Sequence, residues 1–452
     1  MTTPTRINPD IFKAYDVRGI YPTEINEDAA YAYGRALVLH LKVAQVAVGR
    51  DMRVSSPALA EALMRGITDQ GADAINLGLT TTDELYFAVG KFNYSAGVMI
   101  TASHNPKQYN GIKTCREHAI ALSSATGLFE IRDRMLKGEF PAPAAPGRQI
   151  RRDVTDDFVE HALSFIDVRK IKPLKVAIDA GNGMAGMIVP RVFKKLPCIL
   201  IPQYFDLDGT FPHHPASPIE PENMVDLQKT VREQGANLGA AFDGDADRMF
   251  LVDEHAGLIG GDMVTALVAK SLLKKHPGST ILYNLICSRS TPETIERAGG
   301  RAVRTRVGHS FIKTQMRDEN AIFGGEHSGH FYFRDNWYAD SGLIAFLICL
   351  ELICEEGQSL SQLLKPIDTR FRSGEINSEV KDIPGKLKQI EEQYSTQGAT
   401  IDHLDGITIQ FKDWWFNLRA SNTEPLIRLN LEADNKTLME QKRDEVLKLI
   451  RS

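Results

Sequence analysis

The clearest chemical signal in the sequence is a cluster of three carboxylates in the segment DGDADR. Asp243, Asp245 and Asp247 alternate with small residues and are followed by Arg248. Alternate residues of an extended segment project to the same side, so the three carboxylates converge. They repel one another unless a hard cation lies among the oxygens, and oxygen ligands suit Mg²⁺ or Ca²⁺. We therefore predict a divalent-cation site, with a solvated acidic turn as the alternative.

A second polar segment, TASHNP, contains a candidate nucleophile, Ser103. Side chains of adjacent residues diverge in an extended backbone, so His104 is not expected to act as its base. The chain has no GxSxG motif, which disfavours a Ser-His-Asp hydrolase. Considered alone, Ser103 suits a turn better than a catalytic role, and only the other motifs favour a nucleophile.

Two further polar segments could recognise a phosphorylated sugar. GEHSGH places Glu326 and Ser328 on alternate residues, where they could hold hydroxyls on adjacent carbons. RASNTEPLIR combines guanidinium, hydroxyl and backbone donors, which suit a phosphate dianion. The side chains of this second segment are those of Arg419, Ser421, Asn422, Thr423 and Arg428. A plain glycine turn and a capped turn with surface arginines are the respective alternatives.

One motif points to a different function. Gly181, Gly183 and Gly186 form GxGxxG directly after an apolar segment, and Asp206 follows about twenty residues later, as in a dinucleotide-binding unit. An NAD-dependent dehydrogenase is therefore an alternative. However, Pro190 falls early in the helix that should follow, and a dehydrogenase has no use for three clustered aspartates. We interpret the glycines as a tight strand-to-helix turn.

The polar segments are positioned by a pattern of strands and helices that occurs three times. In the first repeat, the strand VAVGRD leads into the helix SPALAEALMRGI and the strand GADAINLG. A further strand in each repeat delivers TASHNP, DGDADR or GEHSGH. Alternating strands and helices predict βαβ units with mainly parallel sheets, whose sites lie at the carboxyl ends of the strands. We expect an α/β fold in which three similar domains share one central cleft.

Composition indicates where these domains end. The Pro/Ala-rich stretch EFPAPAAPGRQ closes the first, and the pattern changes after TRFRSG. We predict α/β domains at residues 1–150, 151–255 and 256–368, carrying TASHNP, DGDADR and GEHSGH respectively. Residues 369–452 are predicted to form a smaller α+β domain that carries RASNTEP.

The bulk properties are those of a soluble globular protein. The chain has 452 residues and a formal net charge of -5, so neither nucleic acid nor an anionic membrane is expected as a partner. Five scattered cysteines without a CxxC pair indicate reduced thiols and a cytoplasmic protein. The most apolar stretch, from Gly342 to Cys354, contains Glu351 and is too short to span a membrane. It is expected to be a buried helix.

The four polar loops, in this order, closely resemble those of the α-D-phosphohexomutase superfamily and its phosphomannomutase/phosphoglucomutase group. The resemblance covers nearly the whole chain and includes YDVRGI, which is similar to the family's N-terminal signature. It implies that Ser103 carries a phosphoryl group in the resting enzyme. It also implies that this phosphate and Asp243, Asp245 and Asp247 hold Mg²⁺.

The resemblance implies roles for further residues. Arg248 would steady the phosphoserine, Lys113 and His330 would be general acid/base candidates, and His309 in VGHS would be an active-site histidine. The implied catalytic residues are Ser103, Lys113, Arg248, His330, His309 and Arg18. The implied substrate-binding residues are Tyr15, Glu326, Ser328, Arg419, Ser421, Asn422, Thr423 and Arg428.

The resulting hypothesis is a mutase, monomeric or homodimeric, that interconverts hexose 6-phosphates and hexose 1-phosphates through a hexose 1,6-bisphosphate. A fork that holds O3 and O4 would accept both glucose and mannose, and GEHSGHFYF resembles phosphomannomutases more closely, so mannose phosphates should be favoured. Ile286 stands where several relatives carry a phosphate-binding lysine, and Arg289 could replace that cation. A catalytically silent sugar-phosphate sensor of the same fold is the second alternative.

Overall fold

Four β-sheets follow one another in the part of the chain that the structure describes. The structure is a computed structural model and describes residues 7–420 and 426–452. The first sheet and its helices are formed by β1 (Val17–Ile20), α1 (Glu27–Leu41), β2 (Gln45–Arg50), α2 (Ser56–Asp69), β3 (Asp73–Leu79), α3 (Thr82–Lys91), β4 (Ala96–Ile100), β5 (Tyr109–Arg116), α4 (Leu128–Lys137) and β6 (Gln149–Arg151).

The second and third sheets repeat the central part of the first. The second domain contains α5 (Thr155–Leu163), β7 (Lys175–Asp179), α6 (Ala185–Phe193), β8 (Ile199–Gln203), α7 (Val225–Gln234), β9 (Leu238–Phe242), β10 (Met249–Val252) and β11 (Leu258–Ile259). The third contains α8 (Gly261–Lys275), β12 (Thr280–Asn284), α9 (Ser290–Arg297), β13 (Arg301–Thr305), α10 (His309–Asp318), β14 (Phe323–Gly325), β15 (Phe331–Phe333), β16 (Ala339–Asp340), α11 (Gly342–Glu356) and α12 (Leu360–Leu364).

The three repeats share one strand order. Strands β2, β7 and β12 are central, with a parallel strand on each side, and the last parallel strand then pairs with an antiparallel neighbour. TASHNP, DGDADR and GEHSGH occupy the equivalent turns β4–β5, β9–β10 and β14–β15. The α/β fold class is confirmed, but the sheets are mixed rather than mainly parallel. The difference arises because each loop reverses the chain and its following strand returns along the same sheet.

The fourth domain is a five-stranded antiparallel sheet with two principal helices, as the smaller α+β prediction requires. Its elements are β17 (Phe371–Glu379), α13 (Ile383–Ser395), β18 (Thr400–Asp402), β19 (Ile407–Gln410), β20 (Trp414–Ala420), β21 (Leu426–Ala433) and α14 (Lys436–Arg451). The prediction placed the end of the second domain at residue 255. The second sheet extends further, because β11 pairs with β10.

One hydrophobic core runs from the second domain into the third, and the apolar stretch near residue 350 lies within it. This stretch forms α11, as predicted, and Ser341 caps its first turn by accepting a hydrogen bond from the Ile344 amide at 3.2 Å. Glu351 is buried but paired with Lys275 at 2.6 Å, which compensates its charge. No helix within the described ranges is long and apolar enough to cross a membrane.

Candidate active site

The serine loop and the acidic loop are in direct contact, although they belong to different domains. Ser103 follows the fully buried strand β4 and is only 2% exposed. Its Oγ donates a hydrogen bond to Asp243 Oδ2 at 2.6 Å and accepts one from Arg248 Nη2 at 3.0 Å. The serine hydroxyl therefore lies between a carboxylate and a guanidinium.

The predicted divergence of Ser103 and His104 is wrong. Ser103 has a φ of 51°, in the left-handed region, so the backbone is not extended here. Consequently His104 Nδ1 lies 3.2 Å from Ser103 Oγ and also contacts Arg248. Burial, together with the nearby Arg248 and Arg18 guanidinium groups, lowers the pKa of His104 well below its ordinary value. No Ser-His-Asp triad results, because Asp243 bonds to the serine and not to the histidine.

The acidic loop has the properties that a divalent cation requires. The side-chain oxygens of Asp243, Asp245 and Asp247 include a set that lies within 4.8 Å of one another, and all three residues are buried. The Oδ1 atoms of Asp245 and Asp247 have no hydrogen-bond partner. Buried carboxylate oxygens without donors are costly unless a cation binds them, so this loop fits Mg²⁺ or Ca²⁺. Gly244 is needed because its backbone passes against the Ser103 carbonyl, leaving no room for a side chain.

Cationic side chains balance part of this negative charge. Lys113 Nζ lies 2.7 Å from Asp245 Oδ2 and 2.6 Å from Asp247 Oδ2. Burial raises the pKa of Asp243 to about 7, only partly opposed by Arg248. Burial would also raise the pKa of Asp245, but Lys113 and a hydrogen bond from Thr82 hold it below its ordinary value. Lys113 is correspondingly stabilised as an ammonium: burial would lower its pKa, yet the two carboxylates raise it.

Thr82 is one of the site residues that the sequence did not reveal. A capping box starts α3, in which Thr81 Oγ1 accepts from the Glu84 amide at 3.2 Å and the Glu84 carboxylate accepts from the Thr81 amide at 2.7 Å. This start fixes Thr82, whose Oγ1 donates to Asp245 Oδ2 at 2.6 Å. The capping residues were visible in the sequence, but their contact with a loop more than a hundred residues away was not.

Arg53 is the second site residue that the sequence did not reveal. Its guanidinium binds backbone carbonyls of the serine loop. Its side chain is 1% exposed and pairs with Asp51, with 3.3 Å between Arg53 Nε and Asp51 Oδ2. Its two Nη atoms donate to four backbone carbonyls of the loop and the start of β5, which belong to Ser103 (2.8 Å), Asn105 (2.6 Å), Pro106 (2.9 Å) and Tyr109 (3.0 Å). The available signal was the position of Asp51 and Arg53, directly after β2 at the same sheet edge as the polar loops.

We expect Arg53→Lys to lower the kcat of the reaction at Ser103 about 100-fold with little change in KM. A single ammonium cannot donate hydrogen bonds to carbonyls spread along the loop, so the serine would be less precisely positioned. Steady-state kinetics and a thermal melt of the variant would measure this. Arg65→Lys, on the exposed side of α2, is the matched control and should behave as wild type. An unchanged kcat in Arg53→Lys would show that the loop is positioned by other contacts.

The third domain contributes His330 to the same site. The backbones of Arg248 and His330 form an isolated antiparallel bridge, which joins the acidic loop to GEHSGH. His330 Nε2 lies 3.9 Å from Asp247 Oδ1, and Ser328 Oγ lies 3.1 Å from His330 Nδ1. Burial lowers the pKa of His330, against the opposing effect of Asp247, which favours the neutral ring.

Glu326 was predicted to bind sugar hydroxyls, but its carboxylate is buried within the protein. Its carboxylate is almost fully buried and accepts hydrogen bonds from Tyr332 Oη, from the Gly308 amide at 3.2 Å and from Asn284 Nδ2 at 3.3 Å. In this arrangement Glu326 ties the loop before α10 to the GEHSGH turn. Its direct contact with a sugar stays a prediction.

Residues from three domains enclose one cavity of about 240 Å³. All six catalytic residues implied by the sequence line it, and so does Tyr15, whose ring packs edge-on against His309 at a centroid distance of 4.9 Å. Burial lowers the pKa of His309 to about 3. Arg18 Nη1 donates to the Ala102 carbonyl at 2.9 Å, which adds a second positive charge beside the serine loop.

Four family models match the chain in succession. Three describe phosphoglucomutase/phosphomannomutase alpha/beta/alpha domains I, II and III, at residues 9–142, 156–259 and 260–370, and the fourth describes the C-terminal domain at 375–449. The chain belongs to the phosphoglucomutase/phosphomannomutase family. It is a hexose phosphate mutase, an enzyme that moves a phosphoryl group within its substrate.

Individual relatives match nearly the whole chain. A phosphomannomutase from Salmonella montevideo is 40% identical over 98% of this chain and 100% of its own length. A protein from Xanthomonas campestris pv. campestris described as phosphohexose mutases is 42% identical over 97% of this chain and 99% of its own length. A solved phosphoglucomutase/phosphomannomutase family protein from Burkholderia thailandensis has a TM-score of 0.90 and 31% identity, covering 98% of this chain and 97% of its own.

The similarity to these relatives supports neither the dehydrogenase nor the sensor alternative. The GxGxxG glycines have a different role here, because Gly183 packs against the acidic loop. A β-carbon at Gly183 would lie 2.8 Å from the Gly244 carbonyl oxygen, which instead accepts a hydrogen bond from the Met184 amide at 3.0 Å. A β-carbon at Gly186 would lie even closer to backbone, 2.2 Å from the Phe205 carbonyl oxygen. The motif therefore allows two backbones to approach each other, and no pyrophosphate is needed to explain it.

The fourth domain places its two described phosphate-loop residues beside Glu375. Arg419 Nη2 lies 2.9 Å from Glu375 Oε2, and Arg428 Nη1 lies 3.2 Å from Glu375 Oε1. Three of the predicted residues, Ser421, Asn422 and Thr423, lie outside the described residues. Arg289, proposed to replace a missing lysine at Ile286, donates to the carbonyls of a turn in the fourth domain, at Phe411 (2.9 Å) and Lys412 (3.1 Å).

Proposed function

We propose that this enzyme interconverts hexose 6-phosphates and hexose 1-phosphates, favouring mannose phosphates, by way of a phosphate carried on Ser103. The observation that carries the proposal is the position of Ser103 Oγ, 2.6 Å from Asp243 Oδ2 and 3.0 Å from Arg248 Nη2. A phosphoryl group on this oxygen would meet the acidic loop on one side and a guanidinium on the other. Phosphoryl transfer depends mainly on such positioning and charge neutralisation.

Mg²⁺ is the proposed cation. Asp243, Asp245, Asp247 and the phosphate on Ser103 would hold it, since they supply only oxygen ligands and two of their buried oxygens have no other partner. Bound there, Mg²⁺ would neutralise charge on the phosphoryl oxygens. Arg248 and Arg18 supply further positive charge from the chain itself.

The protein groups around the serine suit proton transfer in either direction. In the first half-reaction, the P–O bond to Ser103 breaks as a bond to the free sugar hydroxyl forms, so the hydroxyl proton must leave and Ser103 Oγ must regain one. Burial lowers the pKa of His330, which favours the neutral ring that could accept the first proton. Lys113 is protonated and is our candidate for returning a proton to the serine oxygen, although its two carboxylate partners favour retention of that proton. In the second half-reaction, transfer runs from the other phosphate back to serine, and the two roles reverse.

A hexose 1,6-bisphosphate is the required intermediate, because the phosphate given to the sugar and the phosphate taken from it occupy different carbons. This intermediate must turn round within the cleft, so one phosphate-binding loop has to accept either end of the sugar. We assign that loop to Arg419, Arg428 and the intervening segment of the fourth domain. A mobile lid would suit such a step, and the fourth domain is our candidate for it.

A coupled assay with mannose 1-phosphate and glucose 1-phosphate, in Mg²⁺ and a trace of glucose 1,6-bisphosphate, tests the proposal. We expect turnover of both sugars, with a higher kcat/KM for mannose 1-phosphate. Binding of both sugars without turnover would indicate a sensor, and a higher kcat/KM for glucose 1-phosphate would overturn the substrate preference.

We expect Arg419→Ala to raise KM about tenfold with a smaller effect on kcat, because it removes a charged donor to the substrate phosphate. Glu375→Gln should have the opposite effect. In the wild type, the Glu375 carboxylate competes with the substrate phosphate for Arg419 and Arg428, so replacing it with a neutral amide should lower KM. Steady-state kinetics on both variants measure these shifts, and an unchanged KM in Arg419→Ala would contradict the phosphate-loop role.

A further inference from the structure

A second cavity, of about 410 Å³, lies between the first and second domains. Its lining comes from the ends of β2, β3 and β6, from the residues that follow β6, and from α5 and α6. It shares no lining residue with the catalytic cavity. Its volume is in the range of small-molecule sites in proteins, and the proposed reaction uses none of its side chains.

The lining of this cavity is strongly positive. It contains four guanidinium groups and one carboxylate, which belong to Arg50, Arg151, Arg152, Arg191 and Asp153. The carboxylate is already engaged, because Asp153 Oδ1 accepts a hydrogen bond from the Thr155 amide at 2.9 Å. Arg191 pairs with Asp156 at 3.1 Å. Within residues 7–420 and 426–452, the other three arginines form no ion pair.

Arg50 is the most informative of these side chains, since it is half-buried. Among the described residues, the Arg50 guanidinium makes a single, long hydrogen bond, from Nη1 to the Asp51 carbonyl oxygen at 3.5 Å. Burial lowers the pKa of Arg50, and the neighbouring Asp51 carboxylate only partly opposes this effect. A partly desolvated cation without a paired carboxylate is stabilised by an anion that enters the cavity.

The end of β3, which borders this cavity, has an irregular backbone. The register of β3 against β2 shifts between Val48 and Gly49, which marks a bulge. Gly78 follows with a φ of 76°, and its amide donates to Asn76 Oδ1 at 2.9 Å. A β-carbon at Gly78 would meet no atom within 4 Å, so this position faces open space. Strand β6 ends at Arg151, opposite Asn76, so residues 77–79 of β3 extend beyond it.

We propose that this cavity is a second anion site, which binds a small molecule through a phosphate or pyrophosphate group. Guanidinium groups bind such groups through paired, charge-assisted hydrogen bonds, and several of them surround one volume here. The lining contains no aromatic side chain on which a nucleobase could stack. Recognition therefore depends on the anionic group and not on a base.

Calorimetry on the full chain tests this site separately from catalysis. The protein is kept in low salt with EDTA, and saturating mannose 6-phosphate is added to occupy the catalytic cleft. It is then titrated with inorganic pyrophosphate and, in a parallel series, with inorganic phosphate. We expect one binding event that persists under saturation. Arg50→Gln/Arg151→Gln should weaken it about tenfold or more, because two charge-assisted contacts are lost. Arg148→Gln, an exposed arginine paired with Asp73, should leave it unchanged.

The exposed Arg151 provides a second variant in case the double variant unfolds. Arg151→Gln alone should weaken pyrophosphate binding severalfold and keep wild-type mutase activity and melting temperature. Absence of binding under saturation, or wild-type affinity in both variants, would overturn the proposal. Neither result bears on the mutase reaction, which is measured in the separate coupled assay.

Discussion

Ser103→Ala should abolish phosphoryl transfer, with kcat falling by about 10⁴-fold or more, as expected for loss of a covalent nucleophile. The protein should remain folded, because Asp243 Oδ2 keeps its 2.9 Å hydrogen bond from Arg248 Nε when the hydroxyl is removed. The intact mass of purified wild type should show one phosphate, and that of the variant none. The coupled assay and mass spectrometry together measure the prediction.

Ser124→Ala is the matched control, since Ser124 belongs to the same domain but does not line the catalytic cavity. It should retain both the phosphate and full activity. A phosphate that persists on Ser103→Ala would place the modification elsewhere in the chain. Substantial residual turnover in that variant would show that the transferred group does not pass through this serine.

The polar loops could be predicted because each concentrates its chemistry in adjacent residues. DGDADR shows its three converging carboxylates directly, and the apolar strand before it places them at the carboxyl edge of a sheet. The same reasoning located TASHNP and GEHSGH, and the three loops occupy equivalent turns of the three sheets. The alternation of apolar strands and helices, together with the composition of each loop, was sufficient to predict where these loops lie.

Contacts between distant segments could not be predicted in this way. The left-handed backbone at Ser103, which brings His104 beside the hydroxyl, occurs at a residue with a side chain and leaves no glycine signal. Arg53 looks like an ordinary loop arginine until its four carbonyl partners are known. Strand direction is similarly invisible, because a buried strand such as β10 is apolar whether its neighbour is parallel or antiparallel.

Asp245→Asn is expected to have the second large effect, through loss of the cation. Asp245 Oδ2 already accepts from Lys113 and Thr82, so its unpartnered Oδ1 is the atom available to a cation. Loss of a residue that hydrogen-bonds to a metal ligand typically weakens metal binding roughly 10–100-fold. Neutralising a carboxylate that binds the ion directly should weaken Mg²⁺ binding by more than this. Activity of the variant at moderate Mg²⁺ should therefore fall to the level of wild type in EDTA.

Two measurements separate lost binding from lost structure. Activity titrated with Mg²⁺ should saturate only at much higher concentrations in Asp245→Asn, and added Mg²⁺ should raise the melting temperature of wild type but not of the variant, since a ligand stabilises only the state that binds it. Asp208→Asn, in a surface loop of the same domain, should respond as wild type does. Equal stabilisation of Asp245→Asn and wild type by Mg²⁺ would mean that the ion binds elsewhere. The negative charge of the three aspartates would then be balanced by Lys113 and Arg248, and their cluster would be explained by charge pairing instead of metal binding.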